Sequence, residues 1–454
     1  MTAALHFVGI GGIGMSAIAR VLLSRGESVT GSDNSDSPLL RDLREAGATV
    51  YVGHDAKHVN GARAIVVSSA IDASNPEYRA AQERNIPIVR RGEMLAQLLN
   101  ERRGIAICGT HGKTTTTVMA TAALEAAGRN PTGIVGGRVS VWGGNLRWGS
   151  DRLYVVEADE YDRSFLALSP TVAVVNNIEA DHLDIYQDLA DIKRTFAEFA
   201  KYARSIVLCA DDPGANSMKT PSSTEVIRFG ITSEDARVVA KDLTLAPTGS
   251  RFRVVFDEED LGTVELKIPG KHNVLNSLAA ISSGLALGAT VDAMALGLSA
   301  YSGVERRFQL LGEARGIVVI DDYAHNPAKV QAALETARIA YPGRRIIAAF
   351  QPHLFSRTRD FAREFATSLS TADDIFLTEI YPAREKPMEG VTSGLIVDAL
   401  RASGRDVSWR GDRGTLADAL TQSARDGDVV VTIGAGDITK TGPELLKKLT
   451  SKDS

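Results

Sequence analysis

The fold is decided by the stretch Ile105-Ala-Ile-Cys-Gly109-Thr-His-Gly-Lys-Thr-Thr-Thr-Thr117, in which an apolar run leads into a Gly-Lys-Thr turn and then a helix-forming segment. This pattern predicts a phosphate-binding loop (P-loop), because backbone N–H groups in such a turn and at the helix N-terminus converge on one anion. Lys113 would reach the terminal phosphates, and the Thr114 hydroxyl would hold Mg²⁺. ATP and Mg²⁺ are therefore the predicted cofactors. The residues predicted to bind ATP in this loop are Gly109, Thr110, His111, Gly112, Lys113, Thr114 and Thr115.

The P-loop motif is incomplete, because Ile107 stands where the full pattern has its first glycine. A Gly-rich turn with a solvated lysine is the alternative interpretation. The flanking sequence favours phosphate binding, since an apolar strand precedes the turn and a helix-forming run follows it until Gly128.

A second Gly-rich turn, Gly9-Ile-Gly11-Gly12-Ile-Gly14, follows the apolar run Leu5-His-Phe-Val, and Asp33 comes after the next predicted strand. This pattern matches the fingerprint that binds a pyrophosphate and a ribose. A nicotinamide or flavin enzyme fits it, and so does a protein that binds a UDP-sugar; a tight strand-to-helix turn without a ligand is the structural alternative. The residues predicted to bind a UDP-sugar are Gly11, Gly12, Gly14, Asp33 and Ser69.

The length of 454 residues exceeds one ordinary core, and we predict three domains. Strands alternate with helical segments, which indicates α/β domains with parallel sheets. We expect a Rossmann-like domain at residues 1–102, a central P-loop domain at 103–303 and a Rossmann-like domain at 304–454. The polar segment 100–104 and the segment 301–303 mark the two predicted boundaries.

The composition describes a globular protein, with 24% charged residues, 44% hydrophobic residues and a net charge of −5. The interspersed charges argue against nucleic acid as a main partner. Because the sequence shows neither a signal peptide nor an apolar run long enough for a bilayer, we expect a cytoplasmic protein without membrane insertion. We expect a monomer or a weak homodimer. Cys108 and Cys209 each end an apolar run and are interpreted as core residues.

Acidic and polar residues follow several predicted strands. Four acids occur between Glu157 and Asp162, where a P-loop domain needs a Mg²⁺ ligand. His182 stands beside Asp181 after the next strand and is a candidate second metal ligand. We therefore predict Thr114, Glu157 and His182 as the metal ligands. A charged turn is the alternative for any one of these acids, and a structural role is the alternative for the histidine.

Taken in order, these motifs resemble those of the Mur ligase family, and the resemblance extends through nearly the whole chain. It is carried by Gly9-Ile-Gly-Gly-Ile-Gly-Met-Ser, Gly109-Thr-His-Gly-Lys-Thr-Thr-Thr, Glu157-Ala-Asp-Glu-Tyr-Asp, Asn177-Ile-Glu-Ala-Asp-His-Leu-Asp, Gly270-Lys-His-Asn-Val-Leu-Asn, Gly303-Val-Glu-Arg-Arg-Phe-Gln, Asp321-Asp-Tyr-Ala-His-Asn-Pro and Phe350-Gln-Pro-His-Leu-Phe-Ser-Arg-Thr-Arg.

The resemblance implies three domains that bind a UDP-sugar, ATP and an amino acid respectively. It also implies that Asn273 and Asn276 contact adenine, with helix capping as the alternative for Asn273, and that Asp322 contacts the ATP ribose. Arg307 would contact the γ-phosphate, which requires the third domain to close over ATP. The predicted catalytic residues are Lys113, His182 and Arg307, and the residues that would orient the amino acid are His325, His353 and Arg357.

Within the family, the motifs favour the branch that joins UDP-N-acetylmuramate to L-alanine through an acyl phosphate. Many members carry a carbamylated lysine after the position of His182, but this sequence reads Arg194-Thr-Phe-Ala-Glu there, and the alanine-adding branch also lacks that lysine. The rival interpretations are a sister ligase that attaches a recycled tripeptide, a folate ligase that adds glutamate, an NAD-dependent oxidoreductase and a non-enzymatic ATP-driven switch.

Overall fold

The structure is a computed structural model that describes residues 3–68, 70–100, 103–180, 185–246, 248–383 and 385–451, without the side chain of Asp162. Two predicted site residues, Ser69 and His182, lie outside these ranges. The chain divides into two compact units, the first formed by residues 1–244, 251–266 and 271–301, and the second by residues 245–250, 267–270 and 302–454.

The first unit begins with a five-stranded sheet in the order β3-β2-β1-β4-β5. All its strand pairs are parallel, and the order reverses between β1 and β4, as in nucleotide-binding doubly wound sheets. Its elements are β1 Leu5–Val8, α1 Ile13–Ser24, β2 Val29–Asp33, α2 Pro38–Glu45, β3 Thr49–Val52, β4 Ala64–Val67, α3 Pro76–Glu83, β5 Ile88–Arg90 and α4 Arg91–Asn100.

A ten-stranded sheet follows, in the order β15-β14-β13-β12-β11-β10-β6-β9-β7-β8. Strand β6, which carries the apolar run before the P-loop, pairs in parallel with β9 on one side and β10 on the other. The elements are β6 Arg103–Cys108, α5 Lys113–Ala126, β7 Thr132–Val139, β8 Gly144–Arg147, β9 Leu153–Glu157, β10 Val172–Val175, α6 Leu189–Ala200, β11 Ser205–Cys209, α7 Pro213–Asn216, β12 Glu225–Gly230, β13 Val238–Ala246, β14 Gly249–Phe256, β15 Glu259–Leu266, α8 Lys271–Leu285 and α9 Val291–Ala300.

The second unit contains a six-stranded sheet in the order β16-β17-β21-β18-β19-β20, in which β16 pairs antiparallel with β17. Its two faces are covered by separate apolar clusters, one including α10, α12 and α13, the other α14 and α15. The elements are β16 Gln309–Ala314, β17 Ile317–Asp322, α10 Pro327–Ala340, β18 Ile346–Phe350, α11 Phe355–Asp360, α12 Ala362–Leu369, β19 Asp374–Thr378, α13 Gly394–Ala402, β20 Trp409–Gly411, α14 Arg413–Ser423, β21 Val429–Ile433 and α15 Thr441–Ser451.

The predicted fold class is confirmed by three α/β sheets, two of them Rossmann-like and parallel apart from the β16–β17 pair, and one with a P-loop before α5. The predicted limits of the three domains stay predictions. Cys108 and Cys209 are buried, as expected, and both are free thiols. The lysine-rich segment after Leu446 belongs to α15, which runs to Ser451 and buries Leu449, because apolar residues recur at helical spacing among the lysines. In the part of the chain that the structure describes, no helix is long and apolar enough to cross a membrane.

Helix α9 lies against helix α5, which carries the P-loop, with almost no space between the two backbones. A Cβ atom at Gly297 would overlap the carbonyl oxygen of Ala122. We expect Gly297→Ala to lower the free energy of unfolding of the first unit by about 1–3 kcal/mol, although alanine favours a helix by roughly 1 kcal/mol over glycine. Thermal unfolding of the full chain measures the loss.

The matched control is Leu296→Ala, since Leu296 is the preceding residue of the same helix and its side chain is exposed. We expect this variant to melt near the wild-type temperature. A Gly297→Ala variant that is as stable as the wild type would contradict the close approach of the two helices.

Candidate functional site

The P-loop connects β6 to α5 through two glycines in the left-handed region of backbone space, Gly109 at φ 139° and Gly112 at φ 79°. A Cβ atom at Gly112 would also overlap the side-chain oxygen of Asn276. Glycine is needed at position 112 for both reasons. The predicted turn from strand to helix is present, and its N–H groups stand at the N-terminus of a helix of 14 residues.

The loop after β10 holds the P-loop in place. The backbone N–H of His111 donates to the Asn177 side-chain oxygen at 2.7 Å, and the N–H of Thr110 lies 3.2 Å from the Asn177 carbonyl oxygen. The Thr110 hydroxyl accepts a hydrogen bond from the Glu179 N–H at 2.9 Å. The His111 ring and the Glu179 carboxylate are 3.0 Å apart. The conformation of the P-loop therefore depends on a neighbouring strand end.

Helix α8 contributes the two asparagines that were predicted to contact adenine. Both are buried, and the amide of Asn276 lies 3.4 Å from the side-chain oxygen of Asn273. Asn276 accepts a hydrogen bond from the Thr116 hydroxyl at 3.1 Å, and the same hydroxyl accepts one from Asn176 at 2.9 Å. Asn276 thus lies beside the P-loop, while its contact with adenine stays a prediction.

Lys113 forms a buried ion pair that the sequence did not reveal. Its Nζ donates to the Glu160 carboxylate at 2.8 Å and to the Gly109 carbonyl oxygen at 2.7 Å. Burial alone would lower the pKa of Lys113, but the negative charges of Glu160, Asp159 and Glu157 outweigh it and raise the pKa to about 12. Lys113 is therefore a cation at neutral pH, at the position where a phosphate would bind.

Two of the predicted Mg²⁺ ligands lie together. The Thr114 hydroxyl donates to the Glu157 carboxylate at 2.9 Å, and the same carboxylate oxygen accepts the Gly136 N–H at 2.8 Å. Hydroxyl and carboxylate oxygens are hard ligands of the kind Mg²⁺ binds, usually together with substrate phosphates. The pair fits Mg²⁺ in chemistry, although within the described residues no group of three or more His, Cys, Asp or Glu side chains is arranged to hold a metal ion.

The Gly-rich loop of the first sheet closes around Asp33. The backbone N–H of Gly11 donates to the Asp33 carboxylate at 2.9 Å, and the N–H of Gly12 donates to the Gly9 carbonyl oxygen at 3.1 Å. The structure thus brings together Asp33 and the predicted glycines. The ribose contact predicted for Asp33 stays a prediction, and its carboxylate already accepts one backbone hydrogen bond.

A cavity of about 60 Å³ joins the Gly-rich loop to the acidic end of β9. Gly14 and Ile18 line one side, and Glu157 and Asp159 line the other. Arg91, at the start of α4, also lines this cavity, and its guanidinium lies 3.5 Å from the Asp159 carboxylate. A Cβ atom at Gly14 would come within 2.7 Å of this guanidinium, so glycine leaves the space that Arg91 occupies.

In the second unit, Asp322 ends β17 and is fixed by its backbone neighbours. Its carboxylate accepts the N–H groups of Phe308 and Ala324, each at 2.7 Å. Burial raises its pKa, while the nearby charge of Arg307 acts in the opposite direction. The guanidinium of Arg307 lies 5.4 Å from the centre of the Tyr323 ring. The structure therefore places Arg307 and Asp322 near one another, while their contacts with ATP stay predictions.

The three residues predicted to orient an amino acid also lie close together. The rings of His325 and His353 are 6.0 Å apart, and His353 stacks on Tyr381 at 5.8 Å. Burial, together with the positive charges of Lys329 and Arg357, holds the pKa of His325 well below its usual value. Because burial and these charges disfavour the protonated imidazole, His325 can act as a hydrogen-bonding group but not as a cation.

Sequence reasoning did not assign roles to Glu160, Asn177 or Arg91. Glu160 belongs to the run of acids at the end of β9, the region predicted to hold Mg²⁺, and Asn177 is the second residue after β10. A rule that examines every polar residue after a central parallel strand would have included Glu160 and Asn177. It would not have chosen the partner of either residue, since that depends on the order of strands.

Comparison with known proteins places three consecutive domains on this chain. Residues 4–103 match the domain described as Mur ligase family, catalytic domain. Residues 107–284 match the Mur ligase middle domain, and residues 306–436 match the glutamate ligase domain of Mur ligases.

The chain is also similar to individual members over its full length. The UDP-N-acetylmuramate--L-alanine ligase of Oleidesulfovibrio alaskensis is 46% identical over 443 residues, which cover 96% of this chain and 97% of that protein. The crystal structure of the UDP-N-acetylmuramate-alanine ligase from Thermotoga maritima matches with a TM-score of 0.83 at 28% identity, covering 99% of each chain. A murein peptide ligase from Psychrobacter arcticus shares the fold, with a TM-score of 0.72 at 24% identity over 98% of each chain.

The buried pair of Lys113 and Glu160 gives a testable prediction for stability. Removing one partner leaves a buried charge without compensation, so we expect Lys113→Met to lower the free energy of unfolding by about 3–5 kcal/mol. The double variant Lys113→Met/Glu160→Gln should be more stable than Lys113→Met alone, because it buries no uncompensated charge. Urea-induced unfolding without nucleotide measures the four proteins of this double-mutant cycle.

Lys219→Met is the control, since Lys219 is an exposed lysine of the same unit. If the losses of Lys113→Met and Glu160→Gln add to the loss of the double variant, the two side chains do not stabilise each other.

Proposed function

This chain belongs to the Mur ligase family, and we propose that it joins the lactyl carboxylate of UDP-N-acetylmuramate to the amine of L-alanine while ATP is cleaved to ADP and phosphate. This reaction would be a step in the synthesis of peptidoglycan precursors. The observation that carries the proposal is the shared cavity: Gly14 of the Gly-rich loop and Glu157, which is hydrogen bonded to the P-loop residue Thr114, line the same space. A nucleotide-sugar and a nucleoside triphosphate are the ligands that two such loops would bring together.

The chemistry follows from the reluctance of a carboxylate to condense with an amine in water. The carboxylate oxygen must first become a leaving group, and transfer of the ATP γ-phosphoryl group to it does this. The amine then attacks the acyl carbon of the resulting acyl phosphate, and phosphate leaves. The protein contributes positioning and charge, which are the main terms in phosphoryl transfer.

The P-loop residues have separate roles in this reaction. Lys113 has three N–H donors, of which two bind Gly109 and Glu160, and the third would be donated to a phosphate oxygen. Thr114 and Glu157 would hold Mg²⁺, which when bound neutralises phosphate charge. The backbone N–H groups of the loop would bind the phosphates, since they lie at the start of α5.

The roles of the remaining residues rest on the family motif. Asn273 and Asn276 would contact adenine, Asp322 the ribose and Arg307 the γ-phosphate. His325, His353 and Arg357 would orient L-alanine, which is supported by the 6.0 Å distance between the two rings. His182 stays a candidate metal ligand from sequence alone. Cytoplasmic location and the monomeric or weakly dimeric state also stay predictions.

The alternative functions account for fewer features of the structure. An NAD-dependent oxidoreductase would use the Gly-rich loop and Asp33 but would leave the P-loop and its buried Lys113–Glu160 pair without a role. The tripeptide-adding ligase shares the fold, and it would differ from the proposed enzyme in the amine that it accepts. The choice between the two ligases is therefore a question of the second substrate.

The decisive measurement is phosphate release from Mg-ATP in the presence of UDP-N-acetylmuramate. Three reactions are compared, with L-alanine, with L-alanyl-γ-D-glutamyl-diaminopimelate and with neither. We expect release only with L-alanine and one amide formed for each phosphate. Release only with the tripeptide would assign the chain to the sister reaction, and no release in any reaction would contradict ligase activity.

Arg307 gives a second prediction. If its guanidinium stabilises the charge that develops on the γ-phosphoryl group, Arg307→Ala should lower kcat by roughly a hundredfold or more while the KM for ATP changes little. Steady-state kinetics at saturating UDP-N-acetylmuramate and L-alanine separate the two effects. Arg363→Ala, on an exposed position of α12, is the control. Equal effects on kcat and on the affinity for ATP would show that Arg307 acts on the bound ground state instead.

A further inference from the structure

A buried carboxylate surrounded by histidines lies in the first sheet, outside the P-loop. Glu77, in α3, is fully buried. His54 and His58 each approach its carboxylate with Nδ1 at 2.8 Å, and Nε2 of His6 lies 3.6 Å away. We refer to Glu77, His6, His54, His58 and Ser32 as the Glu77 cluster. Its members come from α3, β1, β2 and the loop after β3, so the cluster connects four segments of the sheet.

Ser32 connects this cluster to the Gly-rich loop. Its hydroxyl donates to the Glu77 carboxylate at 2.5 Å and lies 3.0 Å from Nδ1 of His54. The backbone carbonyl oxygen of Ser32 accepts the N–H groups of Gly9 and Ile10 at 2.8 and 2.9 Å. The carboxylate of Glu77 therefore fixes the residue on which the start of the Gly-rich loop is anchored.

The Glu77 cluster is also connected to Asp33 by two routes, one through Ser32 and one through the backbone next to His54. Asp33 follows Ser32 in β2, and its carboxylate accepts the Gly11 N–H at 2.9 Å. Its backbone carbonyl oxygen accepts the N–H of Gly53 at 2.7 Å, and Gly53 directly precedes His54. A movement of Glu77 would thus be transmitted through Ser32 and through His54 to the same aspartate.

The surrounding groups keep the Glu77 carboxylate charged in spite of its burial. Burial would raise the pKa of Glu77, but the nearby ring of His6 and the hydrogen bonds with Ser32, His58 and His54 lower it to about 2. Glu77 is therefore ionised at neutral pH. A buried charge is costly unless it is hydrogen bonded on all sides, and an apolar side chain would fill the same space without that cost. Such an arrangement is suited to fixing positions, because each hydrogen bond has a direction.

A metal site would be another use for three histidines and a glutamate. However, no cluster in the described ranges has the arrangement that would hold a metal ion. In the Glu77 cluster the imidazole nitrogens of His54 and His58 point at the carboxylate oxygens at hydrogen-bond distance. The ring of His58 is also fixed by stacking on Tyr51, with the ring centres 4.1 Å apart.

We propose that Glu77 is a positioning residue for the UDP-sugar, which through Ser32 and His54 sets the Gly-rich loop and Asp33 in the geometry that binds the nucleotide part. This inference rests on the proposed function for the identity of the ligand. We therefore expect Glu77 to affect the binding of the UDP-sugar only, because the contacts of Glu77 lead to the Gly-rich loop.

The test is Glu77→Gln in the full-length protein, assayed for all three substrates. Glutamine keeps the size but replaces one acceptor oxygen by an N–H₂ group, which cannot accept the hydrogen bonds that Ser32 and the histidines make. We expect the KM for UDP-N-acetylmuramate to rise roughly tenfold or more, the effect of one lost hydrogen bond to a charged group. The KM values for ATP and L-alanine and kcat should stay within about twofold. Glu83→Gln, on the exposed end of α3, is the matched control.

Ser32→Ala is the second variant, since it removes the hydroxyl that connects Glu77 to Ser32 and leaves the Glu77–histidine contacts and the Ser32 backbone in place. It should raise the same KM and no other, even if Glu77→Gln does not fold. A rise in all three KM values together, or a fall in kcat alone, would overturn the proposal and indicate a merely structural role.

Titration of the wild type, Glu77→Gln and Ser32→Ala with UDP separates this inference from the proposed function. Weaker UDP binding by Ser32→Ala supports the inference even if the wild type forms no amide from UDP-N-acetylmuramate and L-alanine. Equal UDP affinity in the wild type and Ser32→Ala overturns it even if the wild type is an active ligase.

Discussion

The parallel pairing of β6 with β9 on one side and β10 on the other is the constraint on which the candidate site depends. Parallel strands bring their carboxyl ends to one edge of the sheet, so three loops meet there. The loop after β6 is the P-loop, β9 ends at Glu157 and is followed by a loop that contains Glu160, and the loop after β10 contains Asn177. The P-loop supplies backbone donors, the end of β9 and the loop after it supply carboxylates, and the loop after β10 supplies a side chain that holds the P-loop backbone. Without this register, Lys113 and Glu160 would not meet.

Two of the buried carboxylates, Glu160 and Glu77, are stabilised in different ways. Glu160 is paired with Lys113, the cation that is proposed to bind phosphate, so the pair keeps this group charged and in place. Glu77 is surrounded by imidazoles and a hydroxyl, and none of these belongs to the P-loop. Both arrangements give up the stability of an apolar core for a fixed geometry. They lie next to the two loops that are proposed to bind the two nucleotides.

The repeated design of the chain explains why similar motifs carry different chemistry. In all three sheets a buried strand ends in a polar turn before the next helix, at Gly9, at Gly109 and at Asp322. The turn after β1 binds Asp33, the turn after β6 is held by Asn177, and the turn after β17 is fixed by the Asp322 carboxylate. The backbone path is similar, and the side chains around it decide which ligand fits. A Gly-rich loop alone is for this reason compatible with NAD, with a flavin or with a UDP-sugar.

The amino-acid sequence by itself determined the P-loop, the Gly-rich loop and the α/β fold class, because these depend on local properties: apolar runs of strand length, glycines at positive φ and helix-forming segments after them. It also indicated the acidic strand end that contains Glu157. Only the tertiary structure decided which side chains meet. Glu160 lies 47 positions from Lys113, and Asn276 lies 160 positions from Thr116. Likewise, Glu77 contacts histidines that belong to β1 and to the loop after β3. Such partners depend on strand order and register, and these are set by the packing of whole sheets, which no local pattern of residues contains.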